Sequence, residues 1–255
     1  MDIEHAADAL WTGIKMRRHM PEEWSGKLTL AQGFAVQLAV LERRMQAGER
    51  HAGWKVGLTS AAMRLQQGVV EPCFGYLLQS GEIPSGATLP YAGLINPGIE
   101  NELCITMGDT LKGPDVTLKE ALQAIGSIQP ALELVEVRGN FSADLPLAMA
   151  DNAQQYGFII GEPVAFDPSI ELEQVSVDVR FNDASQITAT GKEVMGNPAN
   201  SLVWLAGKLH EYGLSLEAGM TVMSGSFTRQ FSIQPNDVVE SRFSSFGAVR
   251  VRFSA

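Results

Sequence analysis

Apolar residues recur at helical spacing from the start of the chain, where Ile3, Ala7, Leu10 and Ile14 mark one face of a helix. That helix has to end by Pro21, which has no N–H to donate. A second stripe, Phe34, Ala35, Leu38, Leu41 and Met45, comes after Thr29 and Gln32, a capping-box pair, and runs out near Gly48. Beyond it the pattern shortens. Gly53-Trp54-Lys55-Val56-Gly57-Leu58 is bracketed by glycine, Ser60 can cap a short helix ending before Gly68, and Pro72, Gly75, Gly81, Pro84 and Gly86 punctuate residues 72–86. Residues 99–107, 131–137, 157–160, 175–181 and 248–253 are β-branched or alternating, as strands are. Thr117 with Glu120 opens a helix running to Ile125, and Asn197-Pro198 opens another ending at Gly213. The order predicts an α+β chain, a single domain over 1–255, mainly helical over 1–70 and β-rich over 71–255. VDVRF (177–181) and VRVRF (249–253) are two separate amphipathic strands with arginine outward rather than a repeat.

At 255 residues and 45% hydrophobic, the chain can bury a substantial core, which argues against a disordered chain or a disulfide mini-protein. Its 19 basic and 29 acidic residues leave a net charge of −10, which repels phosphate backbones and anionic lipid. No nucleic acid or membrane partner is expected, and an anionic substrate would need a local positive centre. Cys73 and Cys104 are too few for a disulfide framework and have no CxxC spacing. MDIEHAADALW lacks the basic start and apolar run of a secretory signal, so a cytoplasmic location is expected. No apolar run approaches the ~20 residues that span a bilayer.

The sharpest chemical feature is Ile99-Glu100-Asn101-Glu102-Leu103. On a strand, residues i and i+2 share a face, so both carboxylates project together and repel unless a cation or proton lies between them. A solvated strand face is the other reading. Glu133 shares its strand phase with Ala131, Val135 and Val137, an apolar face on which an unpaired carboxylate is costly. If that strand lies beside the first, three hard oxygen ligands converge and suit Mg²⁺ or Mn²⁺; the alternative is a core acid paired with Arg or Lys. Lys55 sits between an indole and glycines, placed to hold a carboxylate or, with its pKa lowered by burial, to exchange protons, unless it is a surface lysine stacked on Trp54. Ser224-Gly225-Ser226 comes after a strand, Met220 to Met223, as a turn whose hydroxyls and N–H groups suit an oxyanion, or as a plain ST-turn. The four histidines show neither HxH nor HExxH spacing, and no GxSxG, P-loop or GxGxxG occurs.

Taken together, GWKVGLTS (53–60), PCFGYL (72–77), NPGIENEL (96–103), PALELVEVR (130–138), ADNAQQYGFIIG (150–161), GKEVMGNPANSLVWLA (191–206) and AGMTVMSGSFT (218–228) resemble the 2-oxo-4-pentenoate hydratase and 4-oxalocrotonate decarboxylase family of the fumarylacetoacetase superfamily. The resemblance covers nearly the whole chain. It implies a mixed β-roll of the fumarylacetoacetase C-terminal-domain type after an N-terminal helical part, a homo-oligomer, and Mg²⁺ or Mn²⁺ held by Glu100, Glu102 and Glu133. Lys55 matches the active-site lysine, catalytic and substrate-binding, and Ser226 lies in the segment that lines the substrate pocket. Cys73 departs from the pattern, because many hydratases carry an acid there, and a neutral thiol does not replace its charge. The implied reaction is hydration of a 2-hydroxy-2,4-dienoate, a small anionic substrate, to a 4-hydroxy-2-oxo acid in aromatic catabolism. The same metal-stabilised enolate serves a decarboxylase of 4-oxalocrotonate type. An acylpyruvate hydrolase and a non-catalytic ligand-binding relative are the further alternatives.

Overall fold

A computed structural model describes residues 2–182 and 184–255. Its helices are α1 (Ile3–Lys15), α2 (Leu30–Gln46), α3 (Ala61–Gln67), α4 (Leu118–Gln123), α5 (Leu145–Ala150) and α6 (Ala199–Glu211). Their starts obey local chemistry. Thr29 and Thr117 each form a full capping box, with Gln32 and Glu120, and Ser60 accepts from Met63 N to open α3. Gly68, in the left-handed conformation at φ 66°, closes α3 where a β-carbon would be disfavoured.

Two details differ from the pattern. α1 stops at Lys15, well before Pro21, because Arg17 turns left-handed and its guanidinium reaches Glu136 and the carbonyl of Gly93. The buried face of α2 is Gly33, Phe34, Val36, Gln37, Val40 and Leu41, rotated from the expected stripe, and Met45 is exposed. Gln37 is tolerated in the core because its amide donates to Phe74 O at 3.1 Å and Met149 O at 2.8 Å.

The strands are β1 (His51–Gly57), β2 (Cys73–Leu78), β3 (Glu82–Pro84), β4 (Thr88–Pro90), β5 (Pro97–Met107), β6 (Ile125–Glu136) and β7 (Gln155–Ile160). They continue as β8 (Val164–Ala165), β9 (Ser176–Phe181), β10 (Ala184–Thr190), β11 (Thr221–Met223), β12 (Phe231–Ser232), β13 (Val238–Phe243) and β14 (Gly247–Ser254). Among the described residues they form a nine-stranded mixed sheet in the order β2-β1-β11-β5-β6-β7-β3, with β12 on β5 and β8 on β6. A five-stranded sheet, β10-β9-β13-β14-β4, packs on β6 and β7. VDVRF and VRVRF flank β13 in this second sheet, their valines buried and Arg180, Arg250 and Arg252 exposed. β1 lies inside the stretch expected to be helical and pairs in parallel with β11. At Gly53 (φ 152°) a β-carbon would fall 1.9 Å from Thr221 O, so only glycine permits this pairing.

Register decides which side chains meet. Across β2, β1, β11, β5 and β6 it aligns Gly75, Lys55, Met223, Cys104 and Gln129. Leu77, Cys104, Ala131, Phe158 and Met223 form a small apolar cluster on that face. Trp54, Phe74, Tyr76, Leu132 and Ile159 point the other way into the main core, which the helices cover. No described helix is long and apolar enough to cross a membrane.

Candidate metal centre and active site

β5 and β6 run antiparallel with Glu100 directly opposite Glu133, and Glu102 is two residues along on the same face. One carboxylate oxygen from each of the three lies within 4.8 Å of the others. β11 ends at Met223, the register partner of Lys55, and there the chain turns away as Ser224-Gly225-Ser226. Lys55 Nζ lies 3.2 Å from Glu133 Oε1, within ion-pair range although not aligned as a hydrogen bond. Gly225, at φ 109°, donates its N–H to Glu102 Oε2 at 2.7 Å. The oxyanion that this turn binds is therefore the protein's own. Ser226 Oγ accepts from Asn101 N at 3.2 Å, fixing the turn to the strand between Glu100 and Glu102.

Glu102 and Glu133 are wholly buried, Lys55 nearly so, and Glu100 keeps a solvent-exposed edge. Burial, reinforced by Glu133 and only partly offset by Lys55, pushes the Glu100 carboxyl up to about 7. Burial and the two neighbouring acids raise Glu102 well above the ordinary carboxylate range, against the Gly225 N–H. Burial alone would lower Lys55, but Glu133 foremost, with Cys73, Glu100 and Glu102, outweighs it and holds the ammonium above the usual lysine range. This reverses the lowered lysine pKa expected from burial, because three acids surround it.

Glu102 Oε1 and both oxygens of Glu133 are buried without any hydrogen-bond partner. Leaving such atoms orphaned costs roughly 1–3 kcal/mol for each group and more for charged ones. A cluster of hard oxygen donors, too close to ionise together and with orphaned atoms facing one another, fits a divalent Mg²⁺ or Mn²⁺ ion.

The walls close tightly around Lys55. A β-carbon on Gly57 would lie 2.9 Å from Cys73 Sγ and 3.3 Å from Lys55 Nζ, so thiol and ammonium share the space a side chain would take. Burial, moderated by Lys55, pushes the Cys73 thiol up to about 11, which keeps it neutral. Behind β2, Asn152 accepts from Tyr76 N at 2.8 Å and donates to Tyr76 O at 3.0 Å. Asn152, Ala153 and Gln154 are consecutive left-handed residues, at φ 57°, 49° and 63°, a strained turn that delivers this clamp. Sequence reasoning missed Asn152; the one local signal is the tolerance of Asn for that conformation.

Residues 40–254 match the fumarylacetoacetate (FAA) hydrolase C-terminal family. The chain is 30% identical over 228 residues to the 4-oxalocrotonate decarboxylase of Pseudomonas putida, covering 89% of this chain and 86% of that one. It is also 30% identical over 255 residues to the 2-keto-4-pentenoate hydratase of Paraburkholderia xenovorans strain LB400, covering 99% and 95%. Among solved structures, the 4-oxalocrotonate decarboxylase from Pseudomonas putida G7, complexed with magnesium and adipate, matches with a TM-score of 0.93. Identity there is 28%, over 98% of this chain and 97% of that one. The helical N-terminal part and mixed β-roll are those the motifs implied. The chain belongs to the fumarylacetoacetate hydrolase C-terminal family.

Proposed function

We propose that the chain is a metal-dependent lyase that hydrates a 2-hydroxy-2,4-dienoate to a 4-hydroxy-2-oxo acid in aromatic catabolism. The observation that carries this reading is the convergence of three carboxylates with orphaned oxygens beside a buried ammonium. Relatives named as a hydratase and a decarboxylase support the same chemical class. Glu100, Glu102 and Glu133 would hold Mg²⁺ or Mn²⁺, which when bound supplies Lewis-acid stabilisation of enolate charge. Lys55 provides the positive centre that a net charge of −10 otherwise denies an anionic substrate. Its Nζ–H groups orient the substrate carboxylate, and Lys55 can relay a proton, delivering one to the terminal carbon of the dienol and taking up the one lost from the 2-hydroxyl, so that a conjugated 2-oxo acid forms and the ammonium is restored. Water then adds across the remaining C=C bond. Gly225 fixes Glu102, and the Ser226 hydroxyl, bound to Asn101, holds the loop that borders the substrate.

Decarboxylation of a 4-oxalocrotonate-type acid is the second reading, favoured by Cys73. A thiol held neutral beside Lys55 offers no charged base to activate water, whereas loss of CO₂ requires only an electron sink. Incubating the Mg²⁺- or Mn²⁺-loaded protein with a panel of 2-hydroxydienoates separates the two. Loss of dienoate absorbance with an unchanged carbon count supports hydration, CO₂ release supports decarboxylation, and no turnover of any member rejects both. A cytoplasmic homo-oligomer belongs to the same reading. α3 buries no residue and leaves Leu65 84% and, just beyond it, Val70 90% exposed, a surface suited to a subunit contact that sedimentation tests.

A further inference from the structure

On the opposite face of the sheet from the three glutamates, α1 and the ends of β2 and β6 enclose a cavity of about 270 Å³. Tyr76 points into it because it alternates with Gly75 along β2, and Glu136 lines it because it lies three residues beyond Glu133 on β6. Its acids are already committed. Glu49 takes a two-pronged contact from Arg44 at 2.7 and 3.0 Å, Glu136 takes Arg17, and Asp151 accepts from Arg138 Nε at 2.9 Å.

The unmet hydrogen-bonding capacity of the wall is mostly for donation. Arg138 Nη2, Tyr76 Oη and Gln155 Nε2 are buried without partners, and each can donate. Among the described lining residues, the one buried side-chain acceptor left over is Tyr76 Oη itself, which also donates. Arg138 is 6% exposed and Tyr76 1%, so neither has open solvent to satisfy it. Burial pushes the Tyr76 phenol up to about 12, against the influence of Arg44, so it remains a neutral donor at ordinary pH. The Trp11 ring, with Lys15 and Arg44 over it at 5.1 and 5.7 Å, gives the cavity an aromatic flank beside cationic heads. A donor-rich wall with an aromatic flank, at the lower edge of ligand-pocket size, suits a small organic acid rather than a nucleotide.

The geometry points to a second ligand site in this cavity, separate from the metal centre, that binds a small carboxylate through Tyr76, Arg138 and Gln155. It lies one backbone layer from the metal centre. A β-carbon on Gly75 would meet both Asn152 Oδ1 at 2.9 Å and Lys55 Cγ at 3.2 Å, and Asn152 also lines the cavity. Occupancy there therefore presses on β2, the strand paired with the one that carries Lys55.

Succinate is the probe, titrated calorimetrically into the Mg²⁺-loaded protein, with Glu100→Ala removing the metal centre's contribution. Glu100→Ala is expected to retain one succinate site, and adding Tyr76→Phe to weaken that binding at least fivefold. Tyr76→Phe alone is expected to leave the melting temperature without succinate unchanged or higher, because the phenol lies near the Arg44 guanidinium but makes no aligned hydrogen bond to lose. No succinate binding to Glu100→Ala, or binding that Tyr76→Phe changes less than fivefold, overturns the site. A lower melting temperature for Tyr76→Phe without succinate also overturns it, since the hydroxyl would then be satisfied by fixed water. Arg138→Lys, which keeps the charge beside Asp151 but removes the planar fork, is expected to weaken succinate in the same background; unchanged affinity counts against the site.

Discussion

Replacing Glu102 by Gln separates a metal centre from an ordinary buried acid, because the two assign opposite signs to its effect. Gln is nearly isosteric, and its amide oxygen can still accept the Gly225 N–H now 2.7 Å from Glu102 Oε2. The change therefore removes one negative charge and little else. Carboxylates whose oxygens lie within 4.8 Å repel by about 3 kcal/mol for each ionised pair at an effective dielectric near 20. Without metal at pH 8, wild type must either ionise Glu102 beside its two neighbours or hold its proton, a cost of at least about 3 kcal/mol that Glu102→Gln escapes, so the variant should be more stable by roughly 6 °C or more in melting temperature. With saturating Mn²⁺ the order should invert, because wild type gains ligand-linked stability in proportion to the logarithm of metal over Kd, and the variant has lost an anionic ligand. Differential scanning calorimetry with EDTA and with excess Mn²⁺ gives both comparisons on one pair of proteins. A variant less stable than wild type in EDTA, or one that keeps the full Mn²⁺-induced rise, would mean that Glu102 is neither repelled by its neighbours nor a ligand.

The Glu100 carboxyl, raised to about 7 from an ordinary 4.5, holds its proton longer in the folded than in the unfolded chain. Metal-free stability should therefore fall by about 3 kcal/mol as pH rises from 4.5 to 7, and urea unfolding across that range checks it. The same proton competes with the ion, so Mn²⁺ affinity measured by electron paramagnetic resonance should weaken about tenfold per pH unit below 7. Lys55→Met removes the cation beside buried Glu133, a kind of loss that costs roughly 3–5 kcal/mol. It should lower the metal-free melting temperature, regain stability with Mn²⁺, and reduce turnover by about 10²–10⁴. Gly53→Ala places a β-carbon 1.9 Å from Thr221 O and should cost more than about 4 kcal/mol, read as loss of soluble protein or of its urea midpoint.

What could be read from the sequence was whatever short-range chemistry dictates. Thr29, Ser60 and Thr117 start their helices where their side chains accept N–H groups three residues on. Glu133 was conspicuous because an acid on an apolar strand face demands a partner, and register then set it opposite Glu100. Long-range contacts stayed hidden. Gln37 looks like a break in an apolar stripe until Phe74 and Met149 offer their carbonyls, and α1 ends early only because Arg17 finds Glu136. β1 hides inside a helical stretch since its pairing depends on Gly53 meeting Thr221, residues far apart in the chain. The direction of the Lys55 pKa was equally out of reach, being set by acids on two other strands.

Whether the three glutamates hold an ion is decided by an anomalous diffraction map of crystals soaked in Mn²⁺, collected alongside a Mn²⁺ titration of the protein in solution. One ion per chain, ligated by Glu100, Glu102 and Glu133 with Lys55 alongside, is the expected result. An ion bound elsewhere, or these glutamates left without one at saturating Mn²⁺, would leave the lyase chemistry without its metal centre.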